Sequence, residues 1–280
     1  MVDGMSCPPN AMRARSLLFV PADRPERFAK AQASGADAVI LDLEDAVAPA
    51  AKAAARAAVA DWLVAGRAPV ILRINGFASA PFADDLALLA LPGVSAVMLP
   101  KAERADDLAQ LRVVAPSLAL LPLIETAAGI DRLREIAGAP GVQRLIFGAI
   151  DLQLDLGISG DGEELLLFRS QLVLASRLAQ LAPPVDGVCT AIDDAAALRT
   201  EARRARRLGF GAKLCIHPRQ VAVVNEAFAP DAAEIAWAQS VVAAVARSAG
   251  AAIAVDGRMV DKPVLLRARW LLEHAGLRES

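Results

Sequence analysis

Short apolar runs recur along the chain, and each ends on polar residues capable of chemistry. Val39-Ile40-Leu41 runs into Asp42, Glu44 and Asp45, and Val70-Ile71-Leu72 into Arg73 and Asn75. Ala96-Val97-Met98-Leu99 leads to Lys101, and Leu120-Leu121-Pro122-Leu123-Ile124 to Glu125. Leu145-Ile146-Phe147-Gly148 leads to Asp151, and Ala212-Lys213-Leu214-Cys215-Ile216 to His217. Continuous aliphatic runs of this length predict strands covered on both faces, as in a parallel sheet. The polar residues that follow then share one end of the sheet and are candidates for a single site.

The pattern predicts strands over 16–20, 38–43, 70–75, 96–100, 118–124, 144–147, 187–190 and 213–216. Helices are expected near 25–33, 50–65, 82–89, 105–114, 127–137, 163–181, 194–208 and 219–227. Such regular alternation fits a (β/α)8 TIM barrel over 14–229 better than an open doubly wound sheet. No Gly-x-Gly-x-x-Gly turn follows the first strand, which disfavours a dinucleotide-binding sheet. Beyond the barrel, 230–280 is expected to be a helical extension acting as lid and subunit contact. It holds a helix over 232–247, a short strand at 252–255, a turn at Asp256-Gly257 and a last helix over 264–275. Residues 1–13 read as a disordered tail.

Composition narrows the function. Hydrophobic residues make up 55% of the chain and aromatics 4%, with no tyrosine, so the core is aliphatic and base stacking has little support. A formal charge of −2 argues against a polyanion-binding surface. The arginines 199, 203, 204, 206 and 207 are spread around one helix and read as a solvated or subunit-facing surface. The three cysteines, Cys7, Cys189 and Cys215, lack metal-ligand spacing and fit thiols in a reducing cytoplasm. No stretch approaches the ~20 apolar residues of a membrane span, and the N-terminus lacks a signal core. The expectation is a cytoplasmic enzyme without nucleic-acid or membrane partners.

Glu125 and Asp151 are carboxylates on adjacent strand ends. Oxygen-only ligation of this kind suits Mg²⁺, whereas the competing role is to cap the helix that follows each of them. Arg73 offers a planar fork for a substrate carboxylate and also faces the acids of the second strand. Those acids, Asp42, Glu44 and Asp45, could hold a metal but are better suited to orienting Arg73 or Lys101. His217 before Pro218 is as well explained by a barrel-corner turn as by general-base chemistry.

An ordered series of motifs runs along the chain, beginning with Ser16-Leu17-Leu18-Phe19-Val20-Pro21, Arg24-Pro25-Glu26-Arg27, Asp42-Leu43-Glu44-Asp45-Ala46-Val47 and Arg73-Ile74-Asn75. It continues through Leu99-Pro100-Lys101, Ile124-Glu125-Thr126, Phe147-Gly148, Asp151-Leu152 and Leu208-Gly209-Phe210-Gly211-Ala212-Lys213. Ile216-His217-Pro218-Arg219-Gln220 and Asp256-Gly257-Arg258-Met259-Val260-Asp261-Lys262-Pro263 complete the series. On these motifs the chain resembles the citrate lyase β-subunit-like family of the wider HpcH/HpaI aldolase group, which includes malyl-CoA and citramalyl-CoA lyases.

This resemblance implies a barrel that binds Mg²⁺ through Glu125 and Asp151, with Arg73 on the carboxylate of an oxo or hydroxy acid. It implies a lyase that breaks or forms a carbon–carbon bond between that acid and a thioester carried by CoA or an acyl carrier protein. Arg24 and Lys30 are the expected cations for CoA phosphates. Asp261 matches an aspartate that relatives deliver across a subunit interface, and Glu44 is set beside Arg73 and Asp261 as a catalytic candidate. A capping role for Asp261 stands as the alternative. A homotrimer or hexamer is expected. Gln153 and Leu154 stand where relatives carry small residues, which could reshape the thioester channel. Two other functions remain open: a hydroxyacyl-CoA thioester hydrolase, and a non-catalytic β-like subunit that binds a ligand or partner.

Overall fold

Strands with two apolar faces need side chains packed within the sheet and helices outside it, and closing the sheet on itself provides both. The computed structural model describes residues 12–66, 68–247, 253–255 and 258–277. Eight strands form a closed barrel in sequence order: β1 (Ser16–Pro21), β2 (Ala38–Asp42), β3 (Val70–Arg73), β4 (Val94–Leu99), β5 (Ala119–Ile124), β6 (Ile146–Phe147), β7 (Val185–Asp186) and β8 (Ala212–Cys215). All pairings are parallel, and β8 closes on β1 with Ser16 opposite Lys213. The expected TIM barrel is therefore the fold.

Strand alternation divides the apolar residues between two layers. Leu17, Ile40, Ile71, Met98, Leu121 and Leu214 belong to the cluster that fills the barrel. Their neighbours Leu18, Leu41, Leu72, Val97 and Leu120 are just as buried and point outward to the helix ring. This double coverage is why the strands read as continuous apolar runs.

The helices Ala105–Val114 and Ala232–Arg247 have the expected bounds, but several other elements differ. The seventh strand is Val185–Asp186, not 187–190. Asp186 is fully buried in the outer layer, where Lys213 Nζ binds it at 2.9 Å and Arg169 Nε at 2.9 Å. A charged residue at a buried strand position defeats a reading based on apolar runs. The segment expected as one helix over 127–137 breaks at Arg132 into Ala127–Asp131 and Leu133–Gly138. The helix expected over 163–181 ends at Leu178, after a 3₁₀ turn at Glu163–Leu165. The helix Ala149–Leu156 was not anticipated, because no side chain caps its start at Gly148. Asp151 therefore lies in a first helical turn and not at a strand end.

The chain divides into two compact units, with the boundary between Asn225 and Glu226. In the second unit, Ala232–Arg247 packs with Lys262–His274 around Ala238, Val241, Val260, Ala268, Leu271 and Leu272. Strands β9 (Ile253–Val255) and β10 (Arg258–Val260) pair antiparallel, and β10 was not foreseen. Of the tail expected over 1–13, residues 1–11 lie outside the described residues, as do Cys7 and the Asp256-Gly257 turn. Among the described residues, no helix is long and apolar enough to cross a membrane.

Lys213 also meets Glu201 at 3.2 Å, so this fully buried ammonium serves two carboxylates. Burial alone would raise the Asp186 carboxyl, but the Lys213 and Arg169 charges hold it below its ordinary value of 3.8. Stability from Asp186 is thus present above that value and lost as pH falls through its lowered one. Lys213→Met removes a charge that two acids need and should cost about 3–5 kcal/mol. Urea unfolding at pH 7 measures this. A loss below about 1 kcal/mol would show that the network relaxes without its lysine.

Candidate active site

The inward positions of β2 and β3 end on opposite charges in register. Asp42 pairs directly with Arg73 along the ladder, so their side chains rise side by side at the mouth of the barrel. Arg73 Nε and Nη2 donate to the two Asp42 oxygens at 2.7 and 2.6 Å, a bidentate fork. Nη1 lies 2.9 Å from Glu44 Oε2, and the Phe19 ring packs against the guanidinium at 4.8 Å. Burial alone would lower the Arg73 pKa, but the Asp42 bond and charge, then Glu44 and Glu125, push it up. Arg73 is thus a fixed cation. With its Nε–Nη2 edge on Asp42, a ligand carboxylate would meet the remaining protons of the two Nη nitrogens.

Lys101 follows β4 with a left-handed backbone, φ 48°, unusual for a residue with a side chain. That turn aims its amide at Glu125 Oε1, to which it donates at 2.8 Å. Its ammonium bonds Glu44 Oε1 at 2.6 Å and lies 3.7 Å from Asp45. The acids of the second strand therefore orient Arg73 and Lys101 together.

Glu125 closes β5 and is only 2% exposed. Gly148 faces it: a Cβ there would come within 2.4 Å of Glu125 Cβ and 2.5 Å of Oε2, so only glycine allows the approach. Burial first, and then the charge of neighbouring Asp151, push the Glu125 carboxyl up to about 8. Neither acid caps its helix. Thr126 takes that role after Glu125, accepting from the Gly129 amide at 3.1 Å.

These groups meet in one cavity of about 350 Å³ at the C-terminal end of the barrel. Arg73, Asp42, Asp45, Glu125 and Asp151 supply its polar lining, and Phe19, Leu123, Phe147, Val188, Leu214 and Ile216 much of its apolar wall. The volume suits a short acid and not a whole nucleotide-bearing thioester.

The cavity brings together Arg73, Glu125 and Asp151, three of the residues singled out in the sequence. Glu44 sits behind the cations and does not line it. Arg24 and Lys30 do not line it either: Arg24 is exposed beside Asp23 at 3.9 Å, and Lys30 is exposed on the helix Phe28–Gln32. His217 Nδ1 accepts from the Arg219 amide at 3.1 Å, a local turn contact. Asp261, in the second unit, caps its helix by accepting from the Val264 amide at 3.2 Å. Phe19 was overlooked as a site residue, although its spacing from Leu17 marks it as inward-facing.

Among the described residues, no three His, Cys, Asp or Glu side chains converge on a point. A buried carboxylate pushed up by a neighbouring carboxylate needs a proton or a cation. Two oxygen ligands in a small cavity fit Mg²⁺, which completes its shell with water and substrate oxygens.

The family described as HpcH/HpaI aldolase/citrate lyase matches residues 15–218. The chain belongs to the HpcH/HpaI aldolase/citrate lyase family. It is 41% identical over 286 residues to a citrate lyase subunit beta-like protein of Deinococcus radiodurans, covering 96% of this chain and 99% of that protein. It is 35% identical over 268 residues to a (3S)-malyl-CoA thioesterase of Cereibacter sphaeroides, covering 93% and 94% respectively. Among solved structures, it superposes on the CitE protein of Mycobacterium tuberculosis in complex with magnesium, acetoacetate and coenzyme A. That match has a TM-score of 0.85 and 41% identity, over 95% of this chain and 99% of that one. This family of aldolase and citrate lyase β enzymes thus includes a relative crystallised with magnesium and one named as a thioesterase.

The Glu125 proton has a measurable consequence. Its carboxyl in the fold lies at about 8, above the ordinary 4.5. The stability tied to holding that proton is fully present below pH 4.5 and is lost as pH rises through about 8. In EDTA, the melting temperature should therefore fall as pH rises from 5 to 9. Glu125→Gln, which mimics the protonated form, should flatten the decline. An unchanged slope in that variant would place the titrating group elsewhere.

Proposed function

We propose that this protein is a Mg²⁺-dependent carbon–carbon lyase acting on a short hydroxyacyl thioester of citryl, malyl or citramalyl type. The observation that carries the reading is an acid-sized cavity in which a fixed guanidinium shares the lining with the buried Glu125 and the half-buried Asp151. Glu125 and Asp151 hold the metal. When bound, Mg²⁺ supplies polarisation of the acid's oxo or hydroxyl oxygen and positive charge for the developing enolate.

Arg73 binds the acid's carboxylate, and Asp42, Glu44 and Phe19 keep its guanidinium from turning. The apolar wall excludes water and strengthens both electrostatic contacts. In the cleavage direction the hydroxyl loses its proton and becomes an oxo group. The electrons of the breaking bond pass to the thioester's α-carbon, which takes up a proton in turn. Asp261 of a neighbouring copy, carried by a lid over 230–280, is the acid proposed for that step. Arg24 and Lys30 follow β1, whose Pro21 lines the cavity, and are the proposed cations for CoA phosphates.

A second reading is favoured by the thioesterase relative. The same cavity would hold a malyl-type thioester while water attacks the thioester carbonyl. Products separate the two. With Mg²⁺ and malyl-, citramalyl- or citryl-CoA, a lyase releases an oxo acid and an acyl-CoA, whereas a thioesterase releases the hydroxy acid and free CoA. Arg73→Lys keeps the charge but loses the fork, and should weaken binding of the oxo acid by about 1.5–3 kcal/mol. Unaltered affinity in calorimetry would remove Arg73 from the substrate site.

The active unit is proposed to be a homotrimer or hexamer in which Asp261 acts across the interface. Asp261→Asn and Glu125→Gln proteins, each inactive alone, should recover partial activity once mixed and reassembled. A fully active monomer in light scattering would eliminate the trans arrangement.

A further inference from the structure

The carboxylates of Glu125 and Asp151 come from different elements, so something must set the distance between them. The start of the Asp151 helix is tied to β5 by the backbone, where the Gly148 amide donates to Ile124 O at 2.9 Å. Near its far end, Asp155 supplies a second tie. Asp155 Oδ2 accepts from the Ala127 amide at 2.7 Å, across 28 residues. Ala127 stands two residues after Glu125 and opens the helix Ala127–Asp131, so its amide is one of those a helix start leaves without an internal partner. Thr126 serves Gly129, and Asp155 serves Ala127. Asp151 and Asp155 lie four residues apart in the helix Ala149–Leu156, on one face. The contact that brings Asp155 onto Ala127 therefore turns Asp151 toward Glu125.

We propose that Asp155 is a positioning residue that sets the Glu125–Asp151 separation by fastening the Asp151 helix to the backbone just beyond Glu125. It does not line the cavity. Asp155 is exposed, and its removal leaves the core intact. The inference rests on the reading of Glu125 and Asp151 as the Mg²⁺ pair, and its test separates the two.

Three proteins are compared: the parent, Asp155→Ala, and Asp155→Asn, which keeps an acceptor oxygen at the same place. Hydrogen exchange of the metal-free proteins, resolved to the peptide spanning residues 125–131, reports the tether without reference to any metal. Calorimetry with MgCl₂ reports the pair. Asp155→Ala should speed exchange in that peptide and weaken Mg²⁺ by about tenfold, the low end of what residues orienting metal ligands contribute. Asp155→Asn should restore both, and the melting temperature should change little in either variant. Faster exchange with undiminished Mg²⁺ affinity would overturn the proposal, making the tether purely local. Equal exchange in all three proteins would overturn it too. A parent that binds no Mg²⁺ would refute the metal reading itself, and the positioning role with it.

Discussion

A closed parallel barrel imposes one constraint on which everything else here depends: both faces of every strand are buried. A polar side chain on a strand must then either be paired in the outer layer or sit where the strand ends. Lys213 and Asp186 take the first course, and Asp42, Arg73 and Glu125 the second. Because all eight strands run in one direction, the second group collects at a single mouth. The site is a consequence of direction and closure acting together.

Charge at that mouth is unevenly matched. The two nearby cations are already committed, Arg73 to Asp42 and Glu44, and Lys101 to Glu44 and Asp45. Glu125 receives an amide from Lys101, but feels the charge of Asp151, and its carboxylate packs directly on the backbone of Gly148. Burial makes this pair expensive as two anions. The Mg²⁺ proposed for this pair would relieve that cost in place of a proton. The same arrangement explains why Arg73 has its direction fixed before any acid arrives, since its side edge and one ring face are occupied by Asp42 and Phe19.

The strand ends at Asp42, Arg73, Lys101 and Glu125 are legible because each follows a short, aliphatic run of strand length. The eight-fold alternation likewise led to the barrel. Where the reading slipped, a local rule was overridden by a contact distant in sequence. Asp186 lies outside the apolar runs, and its buried place in β7 rests on Lys213 and Arg169, which neutralise it. The Asp151 helix lacked a capping side chain of its own, and its end is held instead by Ala127.

What the sequence determined by itself was the eightfold alternation of strand and helix and the residue types at the ends of β2, β3, β4 and β5, since both follow from the periodicity of apolar positions. Which of those residues meet was decided by the tertiary structure. Register put Asp42 beside Arg73, the left-handed turn at Lys101 aimed an amide at Glu125, and the missing Cβ of Gly148 allowed the close approach opposite it. None of these is visible along the chain, because each is a distance between residues that only barrel closure makes neighbours.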